Sequence, residues 1–170
     1  MDLYMLVLRI VHILAGAFWV GSALTVFLFL QPAAREVGPA AGPFMTHLAQ
    51  KKRLPDIVLG AAGLTILAGL LMYWRVSGGF DPDWIGSTYG LTITVGAVSA
   101  IVAVALGASV VRPSMVRAGQ IAQSAAAAGG PTPEQAAELQ MLQAKVRTTG
   151  AWIVPLLLLA AAAMAGAQYL

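Results

Sequence analysis

Four stretches of this chain stay apolar for so long that only lipid suits them as solvent: Leu3–Leu30, Ile57–Trp74, Ile85–Val111 and Thr149–Tyr169. Each is close to the ~20 residues that carry a helix across ~30 Å of hydrocarbon. Hydrophobic residues fill 59% of the 170 positions, charged residues 10%, and the mean hydropathy is +0.80. A water-soluble domain of this size has too little interior to hide so much apolar surface. The expected fold is therefore all-α: a polytopic membrane protein, one domain over residues 1–170, forming an antiparallel bundle of four transmembrane helices. The first stretch does not read as a cleaved signal peptide. Asp2 stands where a basic region belongs, and the apolar run far exceeds the ~7–15 residues of a signal core.

Charge sets the expected topology. Arg35, Lys51, Lys52 and Arg53 outweigh Glu36 and Asp56 between the first two spans, and Arg112, Arg117, Lys145 and Arg147 outweigh Glu134 and Glu138 between the last two. The short middle connection carries Arg75 with Asp81 and Asp83. The positive-inside rule then puts both basic connections in the cytoplasm, with both termini and the 75–84 hairpin outside. It also explains the net charge of +3 without nucleic acid as a partner. The chain has no cysteine, which excludes disulfides, iron–sulfur clusters and thiolate metal sites. No paired carboxylates, nucleophile–base set or phosphate loop supports a hydrolase or a kinase.

The connections carry their own signals. Ser77-Gly78-Gly79 and Asp81-Pro82-Asp83 predict a tight outer link, flanked by Trp74 and Trp84 as aromatic anchors at the membrane surface. Pro43 predicts the start of a helix running through His47 and Lys51-Lys52-Arg53, with a kink or break at Pro55. Thr132-Pro133-Glu134-Gln135 reads as an N-cap with a capping box, so spans three and four are expected to extend into the cytoplasm as a helical hairpin. Gly60, Gly63, Gly69, Gly90, Gly96, Gly107 and the run Ala160–Ala163 mark close helix packing in lipid, and some could make room for a flat cofactor. No internal repeat stands out.

The chemistry concentrates in span one. Arg9 and His12 lie within an otherwise apolar helix, and ionisable groups at membrane depth are costly enough to mark functional positions. At helical spacing Met5, Arg9, His12, Gly16, Trp19 and Ala23 share one face, which predicts that this face points inward. By the ~1.5 Å rise per residue, His12 lies ~13 Å below the outer end, and His47, the second of two histidines, lies some 25 Å away. That distance argues against a haem held by both. Groups at depths comparable to His12 are Met72, Tyr89, Thr92 and Met164, and span three shows a polar stripe of Tyr89, Thr92, Gly96 and Ser99. As a haem ligand His12 would be joined by Met72, Met164, Tyr89, water or nothing. His12, Met5, Met72 and Met164 would equally suit Cu(I). The plainer alternatives are that His12 hydrogen-bonds a threonine or a carbonyl across the bundle, that Arg9 snorkels to the headgroups, and that the methionines are packing.

The run Arg9-Ile-Val-His12-Ile-Leu-Ala-Gly-Ala-Phe-Trp19-Val-Gly21, followed by Pro32, resembles the opening helix of the CopD-like copper-resistance membrane proteins and their small relatives. It is similar, more distantly, to the haem-containing bacterial protoporphyrinogen oxidases. Lys52-Arg53-Leu54 through Gly69-Leu70-Leu71 looks like the second helix of the same group. The resemblance implies a bacterial inner-membrane protein in which His12 stands at the position of the oxidases' first haem ligand. The oxidases' lysine ligand has no counterpart in Ile85–Leu91, and Thr148-Thr149-Gly150 stands near their fourth-helix Asn-Glu pair. Both departures argue against porphyrinogen oxidation.

Three readings follow. The first is a bundle holding haem b or a similar redox group at His12, with Arg9 pairing a propionate, Trp19 on the macrocycle edge, Gly16 clearing its plane and Tyr89 nearby. Its role would be electron transfer or support of a respiratory complex. The second is Cu(I) handling through His12, Met5, Met72 and Met164. The third is a non-catalytic subunit, whether in a membrane complex or a homo-oligomer, whose polar stripes only set helix registry. All three have the lipid bilayer as partner.

Overall fold

A computed structural model describes residues 2–170. Six helices follow one another: α1 (Leu3–Val37), α2 (Gly42–Thr46), α3 (Leu54–Val76), α4 (Pro82–Gly86), α5 (Thr88–Ala127) and α6 (Pro133–Tyr169). The described residues contain no strand. α1, α3, α5 and α6 are long and apolar enough to cross a membrane, and they form an all-α four-helix bundle. Helices suit this solvent because they satisfy every mid-chain N–H and C=O internally.

Side chains fix the helix starts. Asp2 Oδ1 accepts from the Tyr4 amide at 3.1 Å and caps α1. Thr132 and Gln135 form the reciprocal capping box, Gln135 N to Thr132 Oγ1 at 3.3 Å and Thr132 N to Gln135 Oε1 at 3.0 Å, so α6 starts far beyond the span that it becomes. At the hairpin end, Ser87 has extended backbone and its Oγ accepts from Gly90 N at 3.0 Å. The third long helix therefore opens at Thr88, and Ile85 belongs to the short α4. Gly90 is required there, because any Cβ would collide with the Trp84 carbonyl.

Prolines shape the other end. α1 and α5 each widen into a π segment, Thr25–Leu30 and Gly107–Val111, just before Pro32 and Pro113. A proline ring inside a helix displaces the carbonyl one turn back, and a π turn absorbs that misfit without ending the helix. After α2 a π turn over His47–Lys51 leads to Arg53, whose φ of 51° is left-handed. The break expected at Pro55 thus falls at Arg53, and Pro55 sits in the first turn of α3.

α1 packs along α3, and α5 packs along α6, while the two pairs touch each other far less. Small residues allow the close approach: a Cβ on Gly96 would lie 3.3 Å from the Ala160 carbonyl. The pairs join through a buried layer that includes Trp19, Ala23, Ala62, Ala103, Ile153 and Leu157. Phe27 fills a notch at Gly150, where any Cβ would overlap its ring. At the basic end Arg112 Nε pairs with Asp56 Oδ1 at 2.7 Å, and Arg117 grips Glu138 through two bonds of 2.7 and 3.0 Å. Leu14, Phe18, Leu67, Val98 and Leu158 face outward, as suits side chains set in acyl chains.

Candidate functional site

Where the two helix pairs separate, toward the hairpin end, they leave a cavity of about 770 Å³. That lies inside the ~300–1,000 Å³ range of small-molecule sites. Met5, Arg9, His12, Gly16 and Trp19 line it from α1, Met72 from α3, Tyr89 from α5 and Met164 from α6. All eight residues named as haem or Cu(I) contacts thus border one space.

His12 sits at the α1–α3 crossing. Its Nδ1 lies 2.8 Å from the backbone carbonyl of Thr65. A carbonyl only accepts, so the proton is on Nδ1, and in the neutral ring Nε2 carries the lone pair. No buried side-chain nitrogen or oxygen lacks a partner among the described residues. Nε2 makes no such bond, so it keeps some accessible surface, and the residue as a whole lines the cavity. A hydrogen bond of this kind contributes about 0.5–1.5 kcal/mol, and its larger effect is to fix the ring's tautomer and direction.

Two glycines make the crossing tight enough for that bond. A Cβ at Gly69 would lie 2.9 Å from His12 Cε1 and 3.1 Å from Nδ1, so the imidazole lies flat against α3 only because Gly69 has no side chain. A Cβ at Gly16 would lie 3.3 Å from Thr65 Cγ2. Gly16 borders the cavity, yet the space it frees goes to the Thr65 methyl and not to a macrocycle plane. Thr65 Oγ1 bonds its own helix at Ala61 O, 2.8 Å away, leaving the main-chain oxygen for His12.

The mouth is aromatic. Trp84 meets Tyr73 edge-on at 5.3 Å and Tyr89 at 5.7 Å, and Phe80 lies 5.8 Å from Tyr73. Trp84 is therefore part of the cavity wall, whereas Trp74 stays 53% exposed. The Tyr73 hydroxyl lies 2.7 Å from Thr94 Oγ1, and Thr94 Oγ1 also lies 2.7 Å from the Gly90 carbonyl. Threonine has one hydroxyl proton, which goes to the carbonyl, so Tyr73 donates and ties α3 to α5 across the opening. Trp19, only 5% exposed, closes the floor.

The stripe expected on span three mostly turns elsewhere. Gly96 packs against Ala163 and Met164, Ser99 is buried and bonds Val95 O, and Thr92 bonds Thr88 O. The face of α5 toward the cavity is Tyr89, Ile93, Ala97 and Ala100. Arg9 is the only permanently charged residue in the lining, and no carboxylate opposes it, so the space favours a ligand with an anionic edge. No group of three or more His, Asp or Glu gathers among the described residues. One imidazole, three thioethers and one guanidinium suit a ligand that brings most of its own donor atoms. Comparison with protein-family models, curated proteins and solved structures finds no match for the chain.

Proposed function

We propose that the chain is an integral membrane protein that holds a b-type haem in the cavity beside His12 and serves electron transfer, alone or as an accessory of a respiratory complex in a bacterial inner membrane. The observation that supports this reading is the His12–Thr65 bond of 2.8 Å, in which Nδ1 donates to the carbonyl and the Nε2 lone pair of a cavity-lining residue is left free to bind a metal. Metal-ligating histidines are habitually oriented in this way by a carbonyl or carboxylate on the other nitrogen. A tetrapyrrole would bring most of its own metal ligands and ask the protein for one or two more, a demand that the single imidazole of His12 would meet. The group would supply one-electron chemistry. His12 would bind it, Arg9 would pair a propionate, and the Trp84 and Tyr89 rings would flank its edge and keep water out. The basic connections would face the cytoplasm and the cavity the outer half of the bilayer.

An absorption spectrum of the detergent-purified protein tests this. A Soret band is expected, lost in His12→Ala and retained in His47→Ala. A colourless protein from haem-sufficient cells overturns it. Met5, Met72 and Met164 on the same walls favour Cu(I) as the second reading. A colourless protein that keeps copper through dialysis, and loses it in Met72→Leu, would establish that instead. A colourless, metal-free protein isolated only with partner subunits would leave the structural role.

A further inference from the structure

Beyond Trp19, in the basic half of the bundle, lies a second and smaller space. The crevice holds about 80 Å³ and runs between Val26, Phe27, Val58, Val104 and Met115. Ser22 and Arg112 are its polar members, and Leu54 and Pro55, in the first turn of α3, also line it. That turn also carries Asp56, which Arg53 and Arg112 share, at 3.4 Å and 2.7 Å.

The manner of sharing matters. Both arginines reach Asp56 through Nε, and their terminal amino groups make no hydrogen bond among the described residues. The guanidinium planes are thus oriented by the carboxylate while their outer edges stay free, with the two side chains 73% and 46% exposed. One carboxylate between two guanidiniums leaves a net positive charge, and exposed Lys51 and Lys52 lie next in the chain. A planar guanidinium edge matches the oxygens of a phosphate. A phosphate-binding edge at the end of membrane-length helices, above a crevice lined by hydrocarbon, fits an amphiphile with an anionic head.

We infer that the basic end of the bundle holds one anionic phospholipid, its phosphate on Arg53 and Arg112 and part of one acyl chain in the crevice between α1, α3 and α5. The site is independent of any cofactor beside His12, since the two spaces are separated by the Trp19 indole that lines both.

Native mass spectrometry of the delipidated, full-length protein titrated with phosphatidylglycerol or with phosphatidylcholine of the same chains tests it. One phosphatidylglycerol per chain should bind about fivefold or more tightly than phosphatidylcholine, the preference expected of a cation at a headgroup. Arg53→Gln should lower that preference about fivefold, with Arg53→Lys between the two. A Cβ at Gly107 meets nothing within 4 Å, so Gly107→Leu fills the crevice without touching a charge and should weaken phosphatidylglycerol binding to a similar degree. Val104→Phe fills it from the same helix and stands in if Gly107→Leu does not fold. Equal binding of both lipids overturns the inference, as does either Arg53→Gln or the filled crevice binding phosphatidylglycerol like the native chain. Displacement of the lipid by an equal concentration of inorganic phosphate would also overturn it, by marking a headgroup site that does not use the crevice.

Discussion

The two halves of this bundle are built from the same helices and differ in what lies between them. In the basic half Phe27 is seated in the notch at Gly150, Ala103 and Ile153 are almost fully buried, and ion pairs fasten the helix ends. In the hairpin half the α1–α3 and α5–α6 pairs stand apart around a cavity of about 770 Å³, with the Tyr73–Thr94 bond reaching across. Close packing is the default of a protein interior, and a void forfeits dispersion contacts on every wall. One half carries the stability and the other spends part of it on space, with Trp19 as the boundary.

Filling the two halves should have opposite consequences. Gly150→Leu forces the Phe27 ring out of its notch and should destabilise the bundle by about 1–3 kcal/mol, read as a lower midpoint of thermal unfolding in detergent. Ala97→Leu on the cavity wall should leave that midpoint nearly unchanged while reducing ligand uptake. If the two substitutions lower the midpoint equally, the contrast between the halves is wrong. Gly69→Ala comes next. Its methyl meets the imidazole at 2.9 Å, so it should cost about 1 kcal/mol and turn the ring, visible in nitrogen-15 spectra as a weakened Nδ1–H hydrogen bond. Tyr73→Phe removes the tie across the opening and should cost about 0.6 kcal/mol, the average for hydrogen bonds between membrane helices. Smallest is Arg117→Gln, which opens a solvent-exposed pair with Glu138 and should shift the midpoint within experimental scatter, less still at high salt.

The spans, the capping box at Thr132 and the inward face of α1 were legible in the sequence because each rests on residue type and period. Met5, Arg9, His12, Gly16 and Trp19 follow helical spacing closely enough that one face collects them. The partner of His12 was not legible, since it is the main-chain oxygen of Thr65, and a backbone atom has no letter of its own. Gly69 stood out only as one of several glycines suited to close packing, although it follows Thr65 by one turn on the face that continues to Met72 and Tyr73. Gly16 and Gly69 look alike as letters, and only the crossing geometry assigns one to the Thr65 methyl and the other to the imidazole. The stripe on span three misled for a similar reason. Small and hydroxylated residues serve a tight helix crossing as readily as a cavity: α6 packs on Gly96, and Ser99 is buried with its hydroxyl turned back on its own helix. Trp84 escaped notice as a wall residue because Ser87 breaks the chain just after it and folds α4 back over the opening.

The great length of α5 has a mechanical meaning. Its first residues border the cavity and its last, at Ala127, stand at the tip of the capped hairpin, 40 residues away. At the usual rise per residue that is a rod of roughly 60 Å, about twice the thickness of the hydrocarbon it crosses. A tilt of a single degree about its cavity end displaces the far tip by about 1 Å by plain trigonometry on that rise. The rod would act as an oar, so a small displacement at Tyr89 would reappear enlarged at the hairpin.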